Sequence, residues 1–247
     1  MKKYLAELHI HTVLSPCAEV EMIPPLIVQE ALDKGINLIA ICDHNASANV
    51  LSVIQAAQGT SLTVLPGIEV QTKEEVHVLC LFDTLEQLAT FQAFINTHMP
   101  PLMNDPSHFG EQFVVDQTGE FLHREQKLLL TSADLSIEEI FRMVNELGGL
   151  SIPAHIDRKA FGLIAVLGFI PPDIHLEAIE ISRNVRIDQV ATSFPSLAGY
   201  PIIISGDAHR LDEIIGLNVF HLKEPTITEI RLALRSQNNR SFHTRSV

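Results

Sequence analysis

Short apolar runs of strand type alternate with helix-type segments along almost the whole chain, and this alternation constrains the fold more than any other feature. Strand-type runs occupy 4–10, 36–42, 62–70, 75–82, 150–155, 177–182, 201–205 and 217–222. Helix-type segments lie at 24–35, 47–58, 84–97 and 136–149, and a last one covers 226–236. Several carry end signals: Pro24 and Pro25 open the first and Gly35 closes it, while Ser136 and Glu139 form a capping box on the fourth. The run INLIAIC (36–42) is continuously apolar, the pattern of a strand buried on both faces. Such alternation predicts a parallel sheet with crossover helices. Seven or eight units in 247 residues point to a closed barrel rather than an open sheet. Residues 98–135 break the rhythm and read as an insertion over one barrel end. No repeat or interdomain linker interrupts the chain, so 1–247 reads as a single domain with a loose polar tail at 238–247.

His9 and His11 close the first strand-type run, two positions apart. In a strand such residues share a face. Two imidazoles side by side suit a divalent metal and fill a core poorly. The rest of the chain answers this pair. Asp43 and His44 follow the second strand, Glu69 ends the third, His77 lies in the fourth, His155 ends the next, and Asp207 and His209 follow another. In α/β barrels the catalytic residues gather at the carboxyl ends of strands. Independent surface histidines have no reason to choose those positions repeatedly, so a metal site is expected.

The segments HIHT, DHN, GIE, HVL, AH and GDAH, in this order between residues 4 and 210, resemble the motifs of the PHP (polymerase and histidinol phosphatase) family of metal-dependent phosphoesterases. The resemblance implies a distorted, TIM-like (β/α)7 barrel and two or three divalent metal ions. Zinc, manganese or iron suit a set of imidazoles and carboxylates. Carried over by motif, His9, His11, Glu69 and Asp207 would hold the first metal. Glu69 would bridge to a second, completed by His77 and His155. His44 and His209 would hold a third with a carboxylate from the first loop. Many family members supply that carboxylate from an SDG segment, but here the loop reads LSPCAEVEM, and Pro16 stands where the Asp would be. Glu21, or Glu19, is the expected replacement. Cys17 reads as a partly buried thiol near the site rather than a ligand.

Asp43, either orienting a histidine from behind or capping a helix, and His209 are the candidate catalytic residues. Arg158 and Arg183 follow strands near the site, and their guanidinium forks suit phosphate oxygens. The expected reaction is hydrolysis of a small phosphomonoester or nucleotide phosphate by a metal-activated water, with no serine or cysteine nucleophile. The rival readings are a phosphodiesterase or exonuclease on short oligonucleotides, a metal-dependent amidohydrolase, and a PHP-like module whose metals only support structure. The net charge of −13 repels phosphate backbones at long range, so the expected partner is a small phosphorylated molecule without extended nucleic-acid binding. Three cysteines, an odd number, suggest a reducing compartment and no disulfide framework. No apolar run approaches the ~20 residues needed to span a bilayer. A cytoplasmic location without membrane contact is expected.

Overall fold

The computed structural model describes residues 1–185 and 187–245. In chain order its elements are β1 (Lys2–Ile10), α1 (Pro24–Asp33), β2 (Leu38–Ile41), α2 (Val50–Ala56), β3 (Thr63–Gln71), β4 (His77–Leu81), α3 (Leu85–His98) and α4 (Pro106–Phe109). Then come β5 (Phe113–Val115), β6 (Phe121–Arg124), α5 (Ile137–Glu146), β7 (Leu150–Pro153), α6 (Leu163–Leu167), β8 (Ile179–Ser182), α7 (Ile187–Ser193), β9 (Ile202–Ser205), β10 (Asn218–Leu222), α8 (Ile227–Leu234) and β11 (Ser241–Thr244). The helix starts follow the sequence signals. Thr84 with Gln87 and Ser136 with Glu139 close capping boxes on α3 and α5, and the two prolines occupy the first turn of α1.

Seven strands form one curled sheet in the order β11-β10-β1-β2-β3-β4-β7. The parallel core is β1-β2-β3; β4 runs antiparallel to both β3 and β7, and β10 antiparallel to β1. Here the fold departs from an all-parallel sheet. Only five residues, 72–76, separate β3 from β4, too few for a parallel crossover and enough for an antiparallel return. A separate parallel pair, β8-β9, fills the gap between the ends of this sheet. Ile156 N–H donates to the Glu180 carbonyl beside β7, and His11 N–H and Ala208 N–H bond back to the opposite chain beside β1. The result is a half-barrel closed by a short pair, a distorted TIM-like α/β fold.

Residues of β2 alternate between two apolar clusters. Ile39 and Ile41 pack with Ile27, Val53, Phe91 and Ile140 under α1, α2, α3 and α5. Leu38 and Ala40 join Leu79, Leu81 and Ile152 on the other face, where Ile227 and Ile230 of α8 close the cluster. Both faces are apolar, which is why this strand reads as a continuous run.

The insertion contains α4 and the β5-β6 hairpin. It docks beside the loop after β1: Phe113 N–H donates to Val13 O at 3.0 Å, and Asn49 Nδ2 and Ser52 Oγ donate to Phe113 O and Val115 O at 3.0 and 2.7 Å. The chain end differs from the expected loose tail. Ser241–Thr244 add an edge strand to β10, Phe242 stacks on Phe220 with ring centroids 4.7 Å apart, and Arg240 pairs twice with Glu229. The apolar Phe242 within a polar segment is the feature that anchors it. Residues 246 and 247 of the tail lie outside the described residues. No helix among the described residues is long and apolar enough to cross a membrane.

Candidate metal centre

The carboxyl ends of β1, β2, β3, β7 and β9, with the start of β4, bring the sequence-marked residues together. His9 and His11 converge as their spacing predicts, with Nε2 atoms 3.0 Å apart. Asp207 Oδ1 lies 3.1 Å from each of these nitrogens, and Glu69 lies 3.4 and 3.5 Å from them. Four donors held ~2.0–2.1 Å from one tetrahedral ion would stand ~3.3–3.4 Å apart. The observed spacings of 3.0–3.5 Å bracket that value. Glu69 Oε1 also lies 3.0 Å from His77 Nδ1 and 3.3 Å from His155 Nε2, which are 3.3 Å from each other. The second carboxylate oxygen of Glu69 is 2.9 Å from His44 Nδ1 yet has no hydrogen-bond partner. His155 Nδ1 and Glu180 Oε2 are buried and unpartnered as well. Unmet buried polar atoms are rare, and here they surround a set of donors that fits cations. Among the described residues three groups of donors lie close enough to share an ion: His9–His11–Glu69, His44–Glu69–His77 and His11–His44–His209.

Backbone strain helps aim the ligands. Asn45, His155 and Asp207 have φ of 50°, 29° and 49°, a region non-glycine residues rarely occupy. Each stands at or just past a strand end, where the chain turns so that a side chain faces the cluster. Phe161, also left-handed (φ 61°), stacks on His77 with centroids 4.4 Å apart and covers that side.

A layer behind the ligands fixes their tautomers. His9 Nδ1–H donates to Glu180 Oε1 at 3.0 Å, which leaves Nε2 free to coordinate. Glu180 Oε1 also accepts the His155 N–H at 3.1 Å. His11 Nδ1–H donates to Ser15 Oγ at 2.9 Å, and Ser15 in turn donates to Asp43 Oδ1 at 2.7 Å. Asp43 takes two further bonds from Thr12. Its carboxylate is therefore consumed behind the cluster, where it holds Ser15 against His11, one of the two roles the sequence reading left open for it. His209 Nδ1–H donates to Asp207 O at 2.8 Å and turns the rest of its partly exposed ring to the cleft.

Glu180 and Glu7 carry no motif and were not flagged by sequence reasoning. Glu7 is buried on β1 and accepts the N–H groups of Gly206, Ile215 and Gly216, each at 3.2 Å, pinning the loop that carries Asp207 and His209. The available signal was an acid placed inside an otherwise apolar strand-type run, true of both residues.

The electrostatics are those of a charge-dense, water-poor pocket. Burial alone would neutralise Glu69 and Asp207, but the surrounding histidines hold both carboxyls well below their usual range. Burial opposes the charged form of His44, yet Glu69 raises it to about 10. Burial and the neighbouring His209 and His44 push His11 down. Cys17 is exposed rather than partly buried as the sequence reading had it; desolvation raises its thiol, but the neighbouring His209 and His44 outweigh that and lower it to about 7.

The remaining candidates fall outside the cluster. Glu19 pairs with Arg210 at 2.8 Å and Glu21 is exposed, so neither loop carboxylate joins His44 and His209. The loop turns back after Ser15, too early to bring them inward. Arg158 NH1 bonds Asp207 Oδ2 at 2.5 Å and Arg183 bonds Glu213 at 2.9 Å. Both line a cleft of about 410 Å³ at the mouth of the cluster, with Cys17, Ser182, Asn184, His209 and Arg210. His108 and His123 of the insertion are exposed and outside the donor groups.

This fold and donor set are of the PHP type. The PHP domain matches residues 7–157, and the chain belongs to that family. Comparison with curated protein sequences found no match. Among solved structures, the lesion-specific endonuclease Q of Pyrococcus furiosus is 22% identical with a TM-score of 0.72, covering 98% of this chain and 58% of its own. An endonuclease Q complex with a 27-mer duplex substrate bearing an abasic lesion at the active site is 21% identical with a TM-score of 0.70, covering 97% and 58%. A protein assigned as a metal-dependent phosphoesterase from Bifidobacterium adolescentis is 18% identical with a TM-score of 0.56, covering 83% and 87%. The chain thus spans about 58% of the endonuclease Q chains it matches. These neighbours overturn the expectation of a small phosphorylated partner and no extended nucleic-acid binding: this fold is found on duplex DNA. Net charge averages over the whole surface, whereas binding depends on the field at the cleft.

Proposed function

We propose that the protein hydrolyses phosphodiester bonds in a nucleic-acid strand, using two or three divalent ions of zinc, manganese or iron. The observation that carries this reading is the likeness to endonuclease Q over 98% of the chain, the insertion included. When bound, such ions activate a water and neutralise charge on the phosphoryl oxygens. His9, His11, Glu69 and Asp207 would hold the first, with Glu69 shared to a second held by His77 and His155. His209 faces the cleft at the reacting end. Arg158 and Arg183 each use one nitrogen in their ion pairs and keep further N–H donors for a phosphate that enters beside Asp207. An acidic protein in this role depends on such local cations to hold a polyanion. The free thiols of Cys17, Cys42 and Cys80 suit a reducing cytoplasm.

The test is strand cleavage by the full chain loaded with Zn²⁺ or Mn²⁺. End-labelled single strands, intact duplex and duplex with an abasic site are compared with an aryl phosphomonoester. Cleavage of a strand, lost in the His9→Ala/His11→Ala variant, supports the reading. Monoester turnover with every strand left intact overturns it. Arg158→Ala and Arg183→Ala should each raise KM for the strand about 10–100-fold, the worth of a hydrogen bond to a charged group.

A further inference from the structure

We propose that Asn49 is a positioning residue for the metal centre and makes the insertion part of it, by closing a buried hydrogen-bond chain from the backbone of β5 through Thr12, Asp43 and Ser15 to the His11 imidazole. Asn49 is fully buried and stands at the start of α2. An asparagine there ordinarily caps its helix, but this side chain makes no capping bond. Its bonds go elsewhere. The Nδ2 hydrogens are donated to Thr12 Oγ1 at 2.9 Å and to Phe113 O at 3.0 Å, and Oδ1 accepts the Val115 N–H at 2.9 Å. From there the chain continues inward. Thr12 Oγ1–H donates to Asp43 Oδ2 at 2.8 Å, Ser15 Oγ–H donates to Asp43 Oδ1 at 2.7 Å, and His11 Nδ1–H donates to Ser15 Oγ at 2.9 Å. Ser15 Oγ also accepts the His44 N–H at 3.2 Å, so two ligand-bearing residues depend on it.

Bond directions are fixed from both ends. Thr12 and Ser15 each have one hydroxyl proton, and both protons go to Asp43. Each oxygen then serves as an acceptor, Thr12 for the Asn49 amide and Ser15 for His11 Nδ1–H. This leaves the His11 Nε2 lone pair facing Glu69 and Asp207. Asn49, Thr12, Asp43 and Ser15 are buried, and no polar side-chain atom among them lacks a partner. In so dry a network, removing one member leaves its neighbours unpaired or free to turn. Ser52 supplies a contrast. Its Oγ ties down the same strand through Val115 O at 2.7 Å, but among the described residues it bonds no member of the chain. The inference rests on His11 as a metal ligand in the reading above. It concerns how that ion is held, whatever the substrate proves to be.

The experiment measures Zn²⁺ affinity of the full chain by competition with a chromophoric chelator, and amide exchange of the metal-free and zinc-loaded forms. Asn49→Ala should weaken the ion held by His11 about 10-fold, the low end of what orienting partners contribute. Ser15→Ala should weaken it at least as much, and the double variant no more than Ser15→Ala, because the two residues act in one chain. Ser52→Ala should loosen β5 and leave the affinity unchanged. Coupling is reciprocal, so zinc should slow exchange of the Phe113 and Leu129 amides, which bond Val13 O and Gln112 Oε1, in the wild type and in Ser52→Ala but not in Asn49→Ala. If Asn49→Ala does not fold, Thr12→Val gives the same reading: it keeps the shape and removes the hydroxyl, and Thr12→Ser should restore wild-type affinity. Wild-type affinity in Asn49→Ala or Thr12→Val, an equal loss in Ser52→Ala, or summed losses in the double variant overturns the assignment. A wild type that binds no zinc overturns the metal reading and this inference with it, so the two failures are told apart. These readouts do not involve turnover and stand apart from the cleavage test.

Discussion

Glu180 is the sharpest test of how this centre is held, because no motif marks it and it touches two ligand-bearing residues at once. One oxygen, Oε1, accepts both His9 Nδ1–H and the backbone N–H of His155, at 3.0 and 3.1 Å. The other has no partner. Glu180→Gln can keep its carbonyl oxygen on both donors while the amide nitrogen takes the unpartnered place, so geometry survives and only the charge behind His9 is lost. Glu180→Ala removes both bonds. Partners of this kind are worth about 10–100-fold in metal affinity. We expect about tenfold weaker binding, ~1.4 kcal/mol, for Gln and about hundredfold, ~2.7 kcal/mol, for Ala. Ala should also destabilise the metal-free chain by about 1–3 kcal/mol, since the His155 N–H is left buried and unpaired. The assay is competition against a chromophoric chelator, with denaturant unfolding of the metal-free proteins alongside. The loss should fall on the ions held by His9 and His155. An unchanged dissociation constant in Glu180→Ala would refute the idea that this carboxylate sets the basicity and tautomer of His9.

Metal binding should release protons. Glu69 keeps His44 protonated up to about 10 in the metal-free protein, so at neutral pH an incoming ion must expel that proton. Affinity should therefore rise with pH by about tenfold per unit for each proton displaced. Calorimetry in buffers of different ionisation enthalpy checks it, and buffer-independent heats would contradict it. Gly206→Ala should damage the site from behind: its Cβ would collide with the Glu213 carbonyl and push the Asp207–His209 loop outward. The expected cost is about 1–3 kcal/mol of stability, measured by denaturant unfolding, together with lower metal content. Arg240→Ala should release the last strand from Glu229, seen as faster amide exchange at 242–244 with the metal content unchanged.

Local chemistry determined much of this protein before any folding was considered. Apolar run lengths, proline placement and capping boxes specify the strands and helices, since each depends on neighbours within a few residues. Motif position likewise placed His9, His11, His44, Glu69, His77, His155, Asp207 and His209 at strand ends, and the structure gathers them in one pocket. Tertiary structure decided the rest. It alone sorted the acids: Glu69 and Asp207 enter the cluster, Asp43, Glu7 and Glu180 stand behind it, and Glu19 is neutralised by an arginine. The same residue type serves each role, and the difference lies in partners as far away in sequence as His9 is from Glu180. It turned β4 and β10 antiparallel, laid the tail on β10, and left Glu19 and Glu21 outside the cluster. Periodicity reports which way a side chain faces along its own element. What it meets there is set by how distant elements pack, and contacts across more than a hundred residues leave no local signal.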